Sequence, residues 1–223
     1  MAIKAVISGY GKMGHIVEKV LAKRGIECVM CSEDITATPP EVARECVCID
    51  FTTPDAFRSN YKFLAENFKA TVVGTTGWND IQGEVIDYFN KCGATMIYAS
   101  NFSIGVNLLF KAADYLSRIA SGASHYQTAI EEIHHIHKLD APSGTAISLG
   151  KIVDAAGGYN TPITSQRIGE VPGIHTLTFT SDCDKITLSH EAFSREGLAE
   201  GAVEAAVLTE RTSGVHEFKD LIF

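Results

Sequence analysis

The feature that most constrains the fold of this 223-residue chain is a glycine-rich segment near its start, Gly9-Tyr10-Gly11-Lys12-Met13-Gly14. Apolar residues at 3–8 precede it and are typical of a β-strand. The residues that follow repeat their apolar side chains at helical spacing, in Met13, Ile16, Val17, Val20 and Leu21. In a strand–turn–helix unit the first glycine permits a tight turn, the second lets a pyrophosphate approach the backbone, and the third lets the helix pack on the strand. The segment therefore predicts a dinucleotide-binding βαβ unit.

The first half of the chain continues this alternation of strands and helices. Further apolar runs predict strands at residues 28–31, 46–51, 70–74 and 94–99. Thr53-Pro54 has the pattern of a helix N-cap followed by proline at the first helical position. Strands that alternate with helices over short connections form parallel sheets. We therefore expect the α/β fold class, with residues 1–101 forming a Rossmann-like, parallel-sheet dinucleotide-binding domain.

After residue 101 the pattern changes to that of a smaller α+β domain, expected to span residues 102–195. Residues 106–119 and 143–156 have helical periodicity, whereas Gln127–His134 alternates polar and apolar residues as a strand does. Two more alternating segments, 176–183 and 185–193, flank turn residues and predict an antiparallel hairpin. An Ala-rich helix is predicted at 197–210, and we expect it to return, with the rest of 196–223, to the first domain.

Composition excludes several functional classes. The net charge of −8 argues against nucleic acid as a partner, because neutralising phosphates needs a basic surface. No apolar run approaches the roughly 18–20 residues needed to cross a bilayer, and the N-terminal segment is too short for a signal peptide. We therefore expect a cytoplasmic protein that binds neither nucleic acid nor membrane. An anionic substrate would have to be captured by a local cationic pocket.

The six cysteines could indicate disulfides or a metal site. Cys28 and Cys31 have the C-x-x-C spacing. They fall in a predicted strand, where residues three apart point to opposite faces, so we expect them not to converge on one ion. Reduced, buried thiols are the favoured interpretation.

Several predicted strand ends extend the expected cofactor cleft. Glu33 ends the second predicted strand, nineteen residues after Gly14, where an acidic side chain can bind the adenosine ribose hydroxyls; a solvated strand end is the alternative. Later strands end in Asp50-Phe51-Thr52, Gly74-Thr75-Thr76-Gly77 and Ala99-Ser100-Asn101-Phe102. Each segment alone is an ordinary turn. Because ligands lie across the carboxyl ends of parallel strands, together they predict the nicotinamide half of the site.

A second chemical centre is predicted by the segment His134-His135-Ile136-His137-Lys138-Leu139-Asp140. Pro142-Ser143-Gly144-Thr145 follows and predicts a helix start, whose unpaired N–H groups and partial positive charge can hold an anion. Proton-transfer groups beside an anion site favour an enzyme that acts on a small carboxylate or phosphate. A zinc site and a structural cluster are the alternatives, although the segment has neither a Cys partner nor His-Glu-x-x-His spacing.

These motifs, taken in order, resemble those of the 4-hydroxy-tetrahydrodipicolinate reductase (dihydrodipicolinate reductase) family. The resemblance covers the whole chain, and its most specific part is His134-His135 with Lys138 and Asp140-Ala141-Pro142-Ser143-Gly144-Thr145-Ala146. Other matching segments lie at 9–14, 50–52, 74–77, 101–107, 167–169, 173–175 and 201–203.

The resemblance implies an NAD(P)H-dependent oxidoreductase of diaminopimelate and lysine biosynthesis. Its reaction would reduce the cyclic imine dicarboxylate derived from 4-hydroxy-tetrahydrodipicolinate to tetrahydrodipicolinate. It implies His134 as proton donor and acceptor and Lys138 as a second proton donor. Substrate contacts are implied for His135, Ser143, Gly144 and Thr145. Cofactor contacts are implied for Gly9, Tyr10, Gly11, Lys12, Met13, Gly14, Glu33, Gly74, Thr75, Thr76, Ala99, Ser100, Asn101 and Phe102.

The resemblance also implies a homotetramer built through the sheet of the second domain, which would be the substrate-binding and oligomerisation domain. Both NADH and NADPH are expected as cofactors, with NADH favoured. A 2′-phosphate would face the carboxylates of Glu33 and Asp34, and many members of the family carry a basic residue at the place of Asp34. Lys12 is the nearby cation best placed to compensate.

Three other functions are alternatives to this one. They are a two-domain nicotinamide dehydrogenase with another carbonyl or imine substrate, a nucleotide-sensing regulator, and a zinc hydrolase. The combination of His134, Lys138 and Thr145 argues against the regulator, because a sensor needs no proton donor. Elemental analysis of the purified protein would test the zinc hydrolase.

Overall fold

The chain forms two units, and the computed structural model describes residues 3–123 and 125–222. Unit 1 contains residues 3–103 together with 196–222, and unit 2 is Ile104–Arg195. Within the described residues, no helix is long and apolar enough to span a membrane.

Unit 1 is built on a six-stranded parallel sheet. Its strands are β1 (Lys4–Ser8), β2 (Glu27–Ser32), β3 (Cys46–Asp50), β4 (Ala70–Val73), β5 (Met96–Tyr98) and β10 (Val215–Glu217). The spatial order is β2-β1-β3-β4-β5-β10. From β1 the chain moves to one side for β2 and then to the other side for β3. This reversal leaves a crevice at the carboxyl ends of β1 and β3, where such sheets bind ligands.

Helices cover both faces of this sheet. They are α1 (Lys12–Lys23), α2 (Pro40–Ala43), α3 (Pro54–Asn67), α4 (Gln82–Cys92) and α7 (Glu196–Leu208), with short 3₁₀ turns at Ile35–Ala37, Asn79–Ile81 and Phe218–Asp220. Strand residues alternate between faces, so Ala5 and Ile7 pack against α1 and α7, whereas Val6 packs against the side of α3 and α4.

The predicted α/β, Rossmann-like class is confirmed, and so is the predicted start of α3. Thr53 is the N-cap of that helix, and its hydroxyl accepts a hydrogen bond from Ala56 N at 3.2 Å. The C-terminal helix α7 belongs to unit 1. Strand β10 and helix α4 were not among the predicted elements.

The prediction that Cys28 and Cys31 diverge was wrong. Their Sγ atoms lie 3.7 Å apart, and both thiols are free. The cause is an irregularity in the β1–β2 register: Ala5 pairs with Cys28 and Val6 with Met30, so Val29 is an extra residue in β2. A bulge of this kind inverts the alternation of the strand and returns Cys31 to the face of Cys28.

Unit 2 contains a four-stranded mixed sheet in the order β7-β6-β8-β9. Its elements are α5 (Ile104–Gly122), β6 (Gln127–His134), α6 (Gly144–Gly157), β7 (Ile163–Arg167), β8 (Ile174–Thr180) and β9 (Lys185–Glu191). The predicted hairpin is confirmed as the antiparallel pair β8–β9. Strand β7 was not predicted, and it runs parallel to β6.

One face of the unit 2 sheet packs against α5 and α6. The strand residues on that side include Ile130, Leu177 and Phe179. Because side chains alternate along β6, the inward positions after Ile130 are Glu132 and His134, and both are buried. Two titratable side chains, those of Glu132 and His134, therefore lie in the interior of unit 2.

Candidate active site

The glycine loop of unit 1 has the geometry of a phosphate cradle. Gly9 has φ +84°, and a Cβ there would lie 2.4 Å from Phe51 O. A Cβ on Gly14 would lie 2.4 Å from Gly9 O, so the helix approaches the strand as closely as backbone allows. Of the residues that the structure describes, none lies within 4 Å of a Cβ built on Gly11. The loop is therefore open at the position where a pyrophosphate would approach, and the residues fit a dinucleotide.

The predicted ribose ligand Glu33 lies beside this loop. Its Oε1 accepts a hydrogen bond from Tyr10 N at 3.1 Å, which ties the end of β2 to the loop. The neighbouring carboxylate of Asp34 is engaged elsewhere, since its Oδ1 accepts hydrogen bonds from Thr36 N at 3.1 Å and Thr36 Oγ1 at 2.6 Å. Lys12, the first residue of α1, is exposed.

A buried carboxylate joins the strand ends at the crevice. Asp50 is 0% exposed and accepts hydrogen bonds from Ser8 Oγ at 2.7 Å, Thr75 Oγ1 at 2.5 Å and Thr52 Oγ1 at 3.1 Å. Burial raises the pKa of Asp50, although the three hydroxyls oppose the rise. Asp50 therefore joins the end of β1 to the loops that follow β3 and β4.

The predicted nicotinamide segments follow neighbouring strands. Gly74-Thr75-Thr76 follows β4, where Gly74 faces the ring of Phe51 and Thr76 is exposed. Ala99-Ser100-Asn101-Phe102 follows β5, with Ser100 exposed and Phe102 packed against the Phe51 and Phe218 rings. The structure thus brings both segments to the carboxyl edge of the sheet.

In unit 2, His134 ends β6 in a network of polar groups. Its Nδ1 contacts Glu132 Oε2, and its ring centroid lies 5.1 Å from that of His175. Burial lowers the pKa of His134, and the nearby Glu132 carboxylate opposes this only in part. The neutral imidazole is therefore favoured in the ligand-free protein, and it becomes an acid only after it takes up a proton.

Lys138 lies in the loop after β6. Its Nζ donates a hydrogen bond to Asp140 Oδ1 at 2.7 Å, and this contact lowers the pKa of Asp140. Arg167 fixes the same loop, because its Nε donates to Lys138 O at 3.2 Å and its Nη2 to Asp140 O at 2.6 Å. Lys138 is thus held near His134 by the backbone around it.

The predicted helix start is confirmed at α6. Ser143 is the N-cap, and its Oγ accepts from Ala146 N at 3.2 Å. The same Oγ lies 3.1 Å from His175 Nε2, so the Ser143 hydroxyl has one partner in the helix and one on the buried histidine. Gly144 is exposed, and the first N–H groups of a helix have no carbonyl of that helix to bond to. The start of α6 can therefore receive an anion.

His135 and His137, the other histidines of this segment, are more exposed than His134. His137 is mostly exposed, and its Nε2 lies 3.3 Å from Glu170 Oε1. His135 is half-buried, with its ring 6.1 Å from that of His137. Among the residues that the structure describes, no three His, Cys, Asp or Glu side chains are grouped so that they could hold a metal ion.

Glu132 was assigned no role from the sequence, and Asp50 and His175 were named only as members of longer segments. A signal for Glu132 does exist: in a strand whose inward positions include Ile130 and His134, it occupies the position between them. A charged residue on a buried face is rare unless it has a partner. That partner is Arg167, which lies far along the chain.

Comparisons with known proteins agree over nearly the whole chain. The model "Dihydrodipicolinate reductase, N-terminus" matches residues 3–102, and "Dihydrodipicolinate reductase, C-terminus" matches residues 105–222. A 4-hydroxy-tetrahydrodipicolinate reductase from Christiangramia forsetii is 37% identical, over 96% of this chain and 95% of that protein. One from Methanopyrus kandleri is 33% identical, over 82% and 74%. The dipicolinate-bound dihydrodipicolinate reductase from Paenisporosarcina sp. TG-14 has the same fold, with a TM-score of 0.81 at 21% identity and full coverage of both chains.

Proposed function

The chain belongs to the dihydrodipicolinate reductase family, and on this basis we propose that it is an NAD(P)H-dependent 4-hydroxy-tetrahydrodipicolinate reductase. It would reduce the cyclic imine dicarboxylate derived from 4-hydroxy-tetrahydrodipicolinate to tetrahydrodipicolinate, in diaminopimelate and lysine biosynthesis. The observation that carries the proposal is the grouping, within one short segment of unit 2, of a buried His134, a loop-fixed Lys138 and the start of α6.

Unit 1 is the proposed dinucleotide-binding domain. Its glycine loop would hold the pyrophosphate, Glu33 the adenosine ribose, and the segments after β4 and β5 the nicotinamide side. When bound, the reduced nicotinamide supplies a hydride. Substrate binding and proton transfer are assigned to the chain's own residues.

Unit 2 is the proposed substrate-binding domain. A hydride added at one carbon of the unsaturated substrate leaves negative charge, which an acid must quench. His134 and Lys138 are the proposed proton donors, and His135 is a proposed substrate contact. The proton would leave Nε2 of His134, since Nδ1 faces Glu132.

The activity is tested by following nicotinamide absorbance with the imine substrate generated in situ. We expect NADH oxidation that depends on the substrate and on His134. If the wild-type protein oxidises neither NADH nor NADPH faster with the imine than without it, the proposed function is wrong. Stoichiometric zinc in a sample that oxidises no nicotinamide, measured by elemental analysis, would instead favour the hydrolase alternative.

The proposed carboxylate site consists of Gly144 and Thr145 at the start of α6, beside Ser143. Backbone N–H groups at a helix N-terminus favour anions. A Cβ on Gly144 meets no atom of the described residues within 4 Å, so Gly144→Leu should fold normally while it obstructs the site. We expect the substrate KM to rise at least about tenfold, a loss of about 1.4 kcal/mol in binding. The matched control is Gly122→Leu, which is equally open and lies at the end of α5.

A KM for Gly144→Leu equal to that of the control would contradict this assignment. So would a pyridine-2,6-dicarboxylate complex in which neither carboxylate contacts the start of α6.

For the cofactor we propose that NADH is preferred or fully competent, with NADPH tolerated through Lys12. The carboxylate of Glu33 suits two ribose hydroxyls, whereas a phosphate dianion beside Glu33 and Asp34 would be repelled by on the order of a kcal/mol for each charge. Asp34→Arg should therefore shift the preference toward NADPH by about 1–2 kcal/mol. Glu41→Arg, an exposed charge reversal on α2, is the control.

Steady-state kinetics with both cofactors decide the question. A strong NADPH preference in the wild-type protein would mean that the adenosine pocket is misassigned.

We also propose a cytoplasmic homotetramer assembled through the sheet of unit 2. The face of that sheet opposite α5 and α6 carries small polar side chains such as Thr178 and, joined at 3.0 Å, Thr176 and Ser189. A sheet face of small polar side chains suits contact with a second sheet. Light scattering coupled to gel filtration should give four times the chain mass, and a monomer at micromolar concentration would contradict the proposal.

A further inference from the structure

Glu132 is a buried carboxylate that the proposed chemistry does not yet use. It is 0% exposed, and both its oxygens have partners. Oε2 contacts His134 Nδ1, while Oε1 accepts from Arg167 Nη2 at 3.0 Å and from Ser143 N at 3.3 Å. One side chain thus touches the proposed acid, the arginine that fixes the Lys138 loop, and the start of the proposed carboxylate site.

We propose that Glu132 is a positioning residue that holds the proton of neutral His134 on Nδ1 and so makes Nε2 the nitrogen that exchanges protons with the substrate. A neutral imidazole carries one N–H, and an ionised carboxylate can only accept. The contact between Glu132 and Nδ1 therefore selects one tautomer and fixes the plane of the ring. The assignment of Nε2 to the substrate rests on the proposed function; the choice of tautomer does not.

The surroundings of Glu132 keep it ionised. Burial alone would raise the pKa of Glu132, but hydrogen bonds from Arg167, Ser165 and His134 outweigh it and hold the pKa below its usual value. A buried carboxylate needs such partners, because an unpaired charge in the interior is costly.

The opposite edge of the imidazole is left accessible by a glycine. A Cβ on Gly173 would lie 3.0 Å from His134 Nε2 and 3.3 Å from Cδ2. Any side chain at this position would cover the nitrogen that the tautomer leaves unprotonated. Glu132 and Gly173 therefore act on opposite ends of the same ring.

Charged groups around His134 make the role of Glu132 measurable. Lys138 and Arg167 both disfavour protonation of this imidazole, and the buried ring of His175 packs against it, whereas Glu132 favours protonation. Removing the negative charge should therefore lower the pKa of His134 further and make it a scarcer acid at neutral pH.

The test compares Glu132→Gln, Glu132→Asp and the control Glu131→Gln. Glu131 precedes Glu132 on β6 but is exposed. Long-range ¹H–¹⁵N NMR of the histidine side chains in ligand-free protein reports the tautomer and titration of His134. We expect the Nδ1–H tautomer in the wild-type protein and the control, and its loss in Glu132→Gln together with a lower pKa.

In steady-state kinetics, Glu132→Gln should lower kcat by roughly 10²–10⁴, with the NADH Kd unchanged and the substrate KM altered only a few-fold. Glu132→Asp should recover part of the loss. An Nε2–H tautomer in the wild-type protein, or a Glu132→Gln variant with wild-type kcat and His134 pKa, would overturn the proposal. If Glu132→Gln fails to fold, the wild-type tautomer still decides. If the wild-type protein has no reductase activity, the proposed function fails, whereas the tautomer measurement continues to test Glu132.

Discussion

Replacing Gly14 or Gly11 by alanine should separate two roles of the glycine loop. A Cβ on Gly14 would lie 2.4 Å from Gly9 O, whereas ordinary contacts begin at 3.4 Å, so helix and loop must move apart by about 1 Å. The obstacle is a backbone carbonyl, which cannot rotate away as a side chain can. Overpacking of this kind costs about 1–3 kcal/mol, and we expect the free energy of unfolding of unit 1 to fall by that amount.

Gly11→Ala should behave in the opposite way. Its Cβ meets nothing within 4 Å and its φ is −82°, so the free energy of unfolding should change by less than about 1 kcal/mol. The added methyl group does occupy the space proposed for the pyrophosphate. NADH affinity should therefore fall at least about tenfold. Gly83→Ala on α4, where a Cβ is equally unobstructed, is the control for both measurements.

The assay is urea unfolding without nucleotide, followed by the fluorescence of Trp78, combined with NADH titration. Trp78 is the only tryptophan of the chain and is buried in unit 1, so it reports on the unit that carries the loop. Equal destabilisation by Gly11→Ala and Gly14→Ala would refute the packing argument. Wild-type NADH affinity in Gly11→Ala would refute the proposed pyrophosphate position.

His134→Gln or Lys138→Ala is expected to lower kcat by roughly 10²–10⁴. NADH affinity should be unchanged, since both residues belong to unit 2. Near wild-type turnover in both variants would show that these residues are not part of the mechanism. Burial lowers the pKa of His175 to about 4, so between about pH 6.5 and 4 the unfolded chain binds more protons than the folded one. The free energy of unfolding should therefore fall as the pH falls through this window, by up to about 3 kcal/mol from this residue. His175→Gln should flatten that slope in urea titrations, and a slope as steep as in the wild-type protein would count against it. In the folded protein, iodoacetamide followed by mass spectrometry should find Cys92 and Cys183, the exposed cysteines, modified before the other thiols; equal rates at all six positions would contradict the burial.

Much of the fold was predictable because its elements carry strong periodicity. The predicted strand Gln127–His134 has the bounds of β6, and the capping pattern at Thr53-Pro54 marks the start of α3. The unpredicted strands are weak signals. Strand β10 has only three residues, and β7, Ile163–Arg167, has a mostly exposed middle with no apolar alternation. Such strands are defined by the neighbour they pair with and not by their own sequence.

The residues of the candidate site also include some that the sequence predicts and some that it does not. The glycine loop, Lys138 and the start of α6 could be predicted from the sequence, because each belongs to a local pattern. The contact of Glu132 with Arg167 joins residues that are distant in sequence, and no local pattern reveals it. The approach of Cys28 and Cys31 was missed for a related reason, since a bulge is a property of the pairing between two strands.

Unit 1 is formed by two separate stretches of the chain, and this has a consequence for its folding during synthesis. Residues 196–222 supply α7, which packs against the apolar side of α1, and β10, which borders β5. Unit 2 is continuous in sequence, so all its residues are synthesised before these two elements. Domains commonly fold in the order in which they emerge. Here the earlier unit cannot complete its fold until the later one has been synthesised, and until then part of its apolar side is uncovered. A nascent chain arrested after Arg195 should therefore be a chaperone client, even though most of the parallel sheet has already been translated.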